Sequence, residues 1–220
     1  MRPLRPVGPV PEVLPSMNIN PATLPAVQPG VVNCVTYRRS TGQRDRAVPL
    51  DQVSEALAAD SDLFVWVGLY QPDVALLQQV QHEFALHELA VEDALRTHQR
   101  AKVESYGNML FVVLRTADLV GNDIHYGTTA IFLGQRHLIS VRQGASLTYA
   151  PVREHCEEQP EKMKLGPGYV LYALMDYVVD NFWPITEDLS AHLREQETSI
   201  FREHFSRSML CHMYELRAEL

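Results

Sequence analysis

The sequence predicts an α/β protein, on three observations. "LFVWVGLY" (Leu63 to Tyr70) is a nearly continuous apolar run, as a strand covered on both faces requires. "NMLFVVLRTADL", "DIHYGTTAIFLG" and "RHLISVRQG" are rich in β-formers and are separated by the turn sequences "VGND" and "LGQR", which makes an antiparallel meander. From Thr148 onward, apolar residues recur at helical spacing through "GYVLYALMDYVVDNFWPITEDLSAHLREQETSIFREHF".

Taken in order, residues 1–30 carry prolines at 3, 6, 9, 11, 15, 21, 25 and 29. Each proline removes a backbone donor and fixes φ, so this segment is expected to be a flexible tail. "VVNCVTYR" reads as the first strand, and "RSTGQ" turns it into a second one near Arg46 to Val48. "LDQVSEALA" is a short helix with Asp51 at the favourable end of its dipole. Pro72 and Asp73 open the next helix, with Val74, Leu77, Val80 and Phe84 as its apolar positions. His87 to Leu95 is another short helix. Pro184 is expected to kink or break the long C-terminal one, and "LGPGY" to start it. The last segment, "SMLCHMYELRAEL", stops in mid-pattern with no glycine or proline, which reads as a boundary rather than a natural end.

Composition narrows the function. Nineteen basic against twenty-seven acidic side chains give a net charge of −8, which argues against nucleic acid as a partner. The cysteines at 34, 156 and 211 are far apart and odd in number, so a disulfide framework or a structural zinc site is not expected. The N-terminus has no apolar core bounded by a cleavage site. The longest uncharged stretch, Val13 to Tyr37, is too rich in Pro, Asn and Thr to cross a bilayer.

Titratable groups concentrate in "HELAVEDALRTHQRAKVE", His87 to Glu104. Glu88 and Glu92 share a helix face, with Asp93 beside them. Such carboxylates raise each other's pKa unless a cation joins them, and Mg²⁺ suits one or two carboxylates plus water. The competing reading is a solvated face on which Glu92 pairs with Arg96 at i+4. Asp176 and Asp180 repeat the spacing inside an apolar helix, where an acid needs a partner or an opening to water. His82, His87 and His98 lack the HExxH spacing of a zinc site, and His204, Cys211 and His212 make an equally weak case. GxSxG, P-loop and GxGxxG motifs are all missing, so no nucleophile can be nominated.

"WVGLYQPD" followed by "FALHELAVEDALRTHQRAKVESYGNMLFVVLRT" resembles the cytosolic domain of the CorA family of magnesium and cobalt transporters. "PVREHC" and "YVLYALMDYVVDNFWPITEDL" extend the likeness from about Val31 to the C-terminus. The resemblance implies an α/β/α sandwich with a mixed, partly antiparallel sheet over residues 31–164. A helical segment over 165–220 then begins a long stalk towards the membrane. It implies a homopentamer at the cell inner membrane, with this domain in the cytoplasm. Regulatory Mg²⁺, or alternatively Co²⁺ or Zn²⁺, would be held between neighbouring subunits. Glu92 and Asp93 match the family's acidic pair, and Asp176 matches an acid on the following helix. Ala101 stands where the family has proline, and the pore-mouth Gly-Met-Asn signature does not occur. A ZntB-type zinc transporter domain and a soluble metal-dependent enzyme are the alternative readings.

Overall fold

The computed structural model describes residues 28–96, 100–120, 123–144 and 147–202. The strands are β1 (Val31–Arg38), β2 (Arg44–Ala47), β3 (Leu63–Tyr70), β4 (Lys102–Tyr106), β5 (Met109–Val120), β6 (Asp123–Leu133) and β7 (His137–Gly144). They form one sheet in the order β2-β1-β3-β7-β6-β5-β4. The β4-β5-β6-β7 portion is the antiparallel meander expected from the sequence. β1 is antiparallel to both β2 and β3, whereas β3 and β7 run parallel. The sheet is therefore mixed. β3 sits inside it with seven of its eight residues buried or half-buried, which is why its sequence is apolar rather than alternating.

Helices cover both faces. On one lie α1 (Val53–Ala59), entered through a 3₁₀ turn at Leu50–Gln52, then α2 (Val74–Phe84) and α3 (Glu88–Leu95). Their buried side chains meet Val65, Val67 and Leu69 of β3 and Phe111 and Phe132 of the meander. On the other lie α4 (Ala150–Glu157), α5 (Pro160–Met163) and α6 (Pro167–Arg202). They close over Phe64, Trp66, Val112, Ile131 and Leu138. Successive strand residues point to opposite faces, so Val65 and Trp66 belong to different cores. The architecture is an α/β/α sandwich, and the front of α6 is integral to its second core, with Val170, Leu174 and Val178 buried there.

Local chemistry explains the boundaries. Asp73 caps α2 by accepting the Leu76 N–H at 2.7 Å, and Ala85 ends the helix in the left-handed conformation. Gly42 turns β1 into β2 at φ +72°, and a Cβ there would lie 1.8 Å from the Pro160 carbonyl oxygen, so only glycine fits. Arg136, in the β6–β7 turn, donates to the carbonyls of Leu57, Asp60 and Leu63 and ties the end of α1 to the start of β3.

The structure corrects the sequence reading in four places. β2 begins two residues earlier than expected. β4 is a strand where the sequence reading expected none. Val74 is exposed, and Leu76 takes the buried place on α2. α6 runs unbroken through Pro184. Residues 1–27 of the expected tail lie outside the described residues, as do His98, His204, Cys211 and His212.

Candidate functional site

The acidic stretch on α3 folds into a network of ion pairs. Ala90, Val91 and Ala94 bury one side of the helix, which turns Glu88 and Glu92 to solvent. His87 caps the helix: its Nδ1 accepts the Leu89 N–H at 3.3 Å, and its ring stacks on Tyr106 with centroids 4.4 Å apart. Glu92 pairs with Arg96 one turn on, as the spacing suggests, and Arg96 also reaches Asp93 at 3.6 Å. The adjoining strand β4 supplies the rest. Lys102 lies 2.5 Å from Asp93 and 3.1 Å from Glu104, and Glu104 accepts from the Tyr106 hydroxyl at 2.8 Å. The hydrogen bond to Asp93 raises the Lys102 pKa, while those from Tyr106 and Lys102 lower that of Glu104.

The second acidic pair is different. Asp176 and Asp180 are exposed on α6 and line an open groove of about 350 Å³, together with His155, Lys162, Tyr169 and Tyr172. The helix is apolar because its other side packs on the sheet, so these acids have water rather than a partner inside the core. Beside them Tyr172, Met175, Val179 and Trp183 are also exposed, the last two each at 67 %. Exposed aromatic and aliphatic groups at successive turns make an apolar stripe along this side of α6.

The three residues singled out from the sequence are therefore not brought together within one copy. Glu92 and Asp93 lie on the α1–α3 face of the sheet, and Asp176 lies on the α4–α6 face. A hard cation seeks about six oxygens. The α6 patch supplies two carboxylates, and those of the α3–β4 patch, Glu92, Asp93 and Glu104, already hold a guanidinium and an ammonium group. Each patch thus fits a metal only as part of a shared site. Among the described residues no group of three His, Cys, Asp or Glu side chains is placed to hold an ion. His82 and His87 join no such group either. Sequence reading missed Lys102, although the alternation of Lys102, Glu104 and Tyr106 carried a period-two signal that these side chains share one face of a strand.

Comparisons with known proteins fit this picture. The family described as "CorA-like Mg2+ transporter protein" matches residues 61–220. A "Putative metal ion transporter YfjQ" of Bacillus subtilis is 28% identical over 174 residues, covering 79% of this chain and 52% of its own. The "Cobalt/magnesium transport protein CorA" of Thermotoga maritima is 28% identical over 147 residues, covering 64% and 41%. The chain thus spans about half the length of these curated relatives or less. Among solved structures, full-length CmaX superposes with a TM-score of 0.67 at 18% identity, over 89% of this chain and 59% of that one. The soluble domain of CorA from Methanocaldococcus jannaschii gives 0.59 at 12% identity, over 87% and 73%. These two likenesses bear on the fold, and among the described residues no helix is long and apolar enough to cross a membrane. With nearly three quarters of its length matched by the family description, the chain belongs to the CorA-like Mg2+ transporter family.

Proposed function

We propose that this chain is the divalent-cation-sensing domain of a CorA-type Mg²⁺/Co²⁺ transport protein. In this reading it lies on the cytoplasmic side of the cell inner membrane, works as a homopentamer, and performs no catalysis. The observation that carries the reading is the placement of the acids. Glu92 and Asp93 occupy one face of the sheet, and Asp176 the opposite one. Residues on opposite faces of one copy meet only when the front of one copy packs on the back of the next. That contact is heterologous, and it closes into a ring when repeated by a fixed rotation. The exposed stripe beside Asp176 supports such packing.

Metal acts on this contact through charge. Two carboxylates brought to 4 Å repel by about 1 kcal/mol in water and about 4 kcal/mol at an effective dielectric of 20. A Mg²⁺ ion between them replaces that repulsion with attraction and favours the packed, closed ring, and its loss releases the ring. Lys102 and Arg96 already neutralise the α3 acids in the isolated copy. A cation arriving there competes with them, which keeps affinity low, on the order of 10⁻³ M as in other carboxylate sites with few ligands.

The test is ion flux through the full-length transporter at low and at millimolar internal Mg²⁺. Asp93→Lys places a tethered cation where the ion would sit, so the variant should close with less dependence on Mg²⁺ than the wild type. Identical Mg²⁺ responses would reduce Asp93 to a helix residue paired with its own lysine.

A further inference from the structure

β3 and β7 are the one parallel pair among the described strands, with Gly68 opposite Ser140 and Tyr70 opposite Arg142. Their carboxyl ends lie side by side, and the chain leaving β7 returns into the start of α4. In α/β folds such a junction leaves a crevice beyond the strand ends in which ligands bind. A cavity of about 60 Å³ lies here, lined by Asn33, Gly68, Ser140, Arg142, Thr148 and Arg153.

The charges around it are unbalanced. Arg142 is only 8% exposed, yet no carboxylate pairs with it among the described residues. One of its N–H groups goes to the Leu147 carbonyl at 2.8 Å. Its guanidinium carbon lies 5.0 Å from the Tyr70 ring and 5.6 Å from the Tyr149 ring, and these π faces attract a cation without supplying net charge. Burial lowers its pKa, and the charged neighbour that lowers it further is Arg153, a second cation. Among the described residues Arg153 forms no ion pair either: it donates to Asn33 Oδ1 at 2.8 Å, and Asn33 is fixed in turn by the Trp66 carbonyl at 3.1 Å. Ala145 and Ser146, between β7 and Leu147, carry no charge that could compensate. Two guanidinium groups beside one small cavity, one of them nine-tenths buried, leave a positive charge that burial penalises until an anion joins it.

We propose that this cavity binds one small oxyanion of the phosphate class, held between the guanidinium groups of Arg142 and Arg153. A cavity of about 60 Å³ has room for a single tetrahedral ion and too little for a nucleotide. The site stands apart from both acidic patches and does not depend on the sensing role.

Trp66 supplies the readout, since it lines the cavity with its indole N–H 3.4 Å from Ser140 Oγ. The other tryptophan, Trp183, is exposed on α6, so Trp183→Phe leaves Trp66 as the sole indole fluorophore. In that background, sodium phosphate titrated at constant ionic strength should change Trp66 fluorescence saturably. Arg153→Gln, with circular dichroism unchanged, should raise the half-saturating concentration about tenfold or more, as the loss of a charge-assisted hydrogen bond would. Arg142→Met should abolish the response. A linear, non-saturating change would overturn the proposal, and so would an Arg153→Gln curve superimposable on the parent. Equal saturation by chloride alone would overturn the oxyanion assignment.

Discussion

The two faces of the sheet handle charge in opposite ways. On the α1–α3 face every acid of the α3–β4 network has a basic group or a hydroxyl on it: Arg96 on Glu92, Lys102 on Asp93 and Glu104, Tyr106 on Glu104. On the α4–α6 face Asp176 and Asp180 look into water, and among the described residues Arg142 and Arg153 form no ion pair. Local density of titratable groups is thus a poor guide to vacancy. The α3–β4 network has satisfied itself, and the sparser face holds the charges still open to an outside partner.

Substitutions on the two faces should separate accordingly. The largest effect belongs to the core beneath the open face. Trp66 is 2% exposed, and Trp66→Ala should cost about 3–5 kcal/mol in chemical denaturation. A loss under about 1 kcal/mol would mean that α4–α6 do not seal this side of the sheet.

The next effect is a pH dependence from the α1–α3 side, where the His137 ring packs against Phe84 with centroids 5.1 Å apart. Its Nε2 is buried without a partner, and burial lowers its pKa to about 4. The unfolded chain takes up this proton near the ordinary value of about 6.5 and the folded chain only near 4. Stability is therefore full above about pH 6.5 and falls as pH drops towards 4, by about 3 kcal/mol from this group. His137→Gln should flatten that part of the stability–pH curve, and an unchanged slope would show that the ring is hydrated.

The smallest effect is the sharpest contrast. Asp93→Asn leaves Lys102 with Glu104 alone and should cost about 1 kcal/mol, less in high salt, because the pair is only partly shielded from solvent. Asp176→Asn touches no pair and should stay within about 0.5 kcal/mol. Equal costs would erase the distinction between the faces.

Much of the fold was legible because it is local. The run at β3, the Asp73 cap, the meander and the Glu92–Arg96 pair each follow from residues within a few positions of one another. The parallel pairing of β3 with β7 joins segments about seventy residues apart and leaves no local pattern, so the crevice it creates could not be read. The pairing of Asp93 with Lys102 escaped although only nine positions separate them, since it depends on where β4 docks. Pro184 was read by the rule that proline removes a helix hydrogen bond. The rule overreached because Pro184 and Asp180, whose carbonyl loses its donor, both face water, while Val178 and Ile185 keep the helix on the sheet.

Both edges of the sheet carry a further consequence. β2 and β4 are its shortest strands, at four and five residues, and they read Arg-Asp-Arg-Ala and Lys-Val-Glu-Ser-Tyr. An open sheet exposes a row of unpaired backbone groups at each margin, to which any extended chain can add. Here those margins are brief and dotted with both signs of charge, so an incoming strand would have to strip water from ammonium, guanidinium and carboxylate groups along most of its length. The sheet is thereby guarded at both margins against the edge-to-edge addition of a further chain.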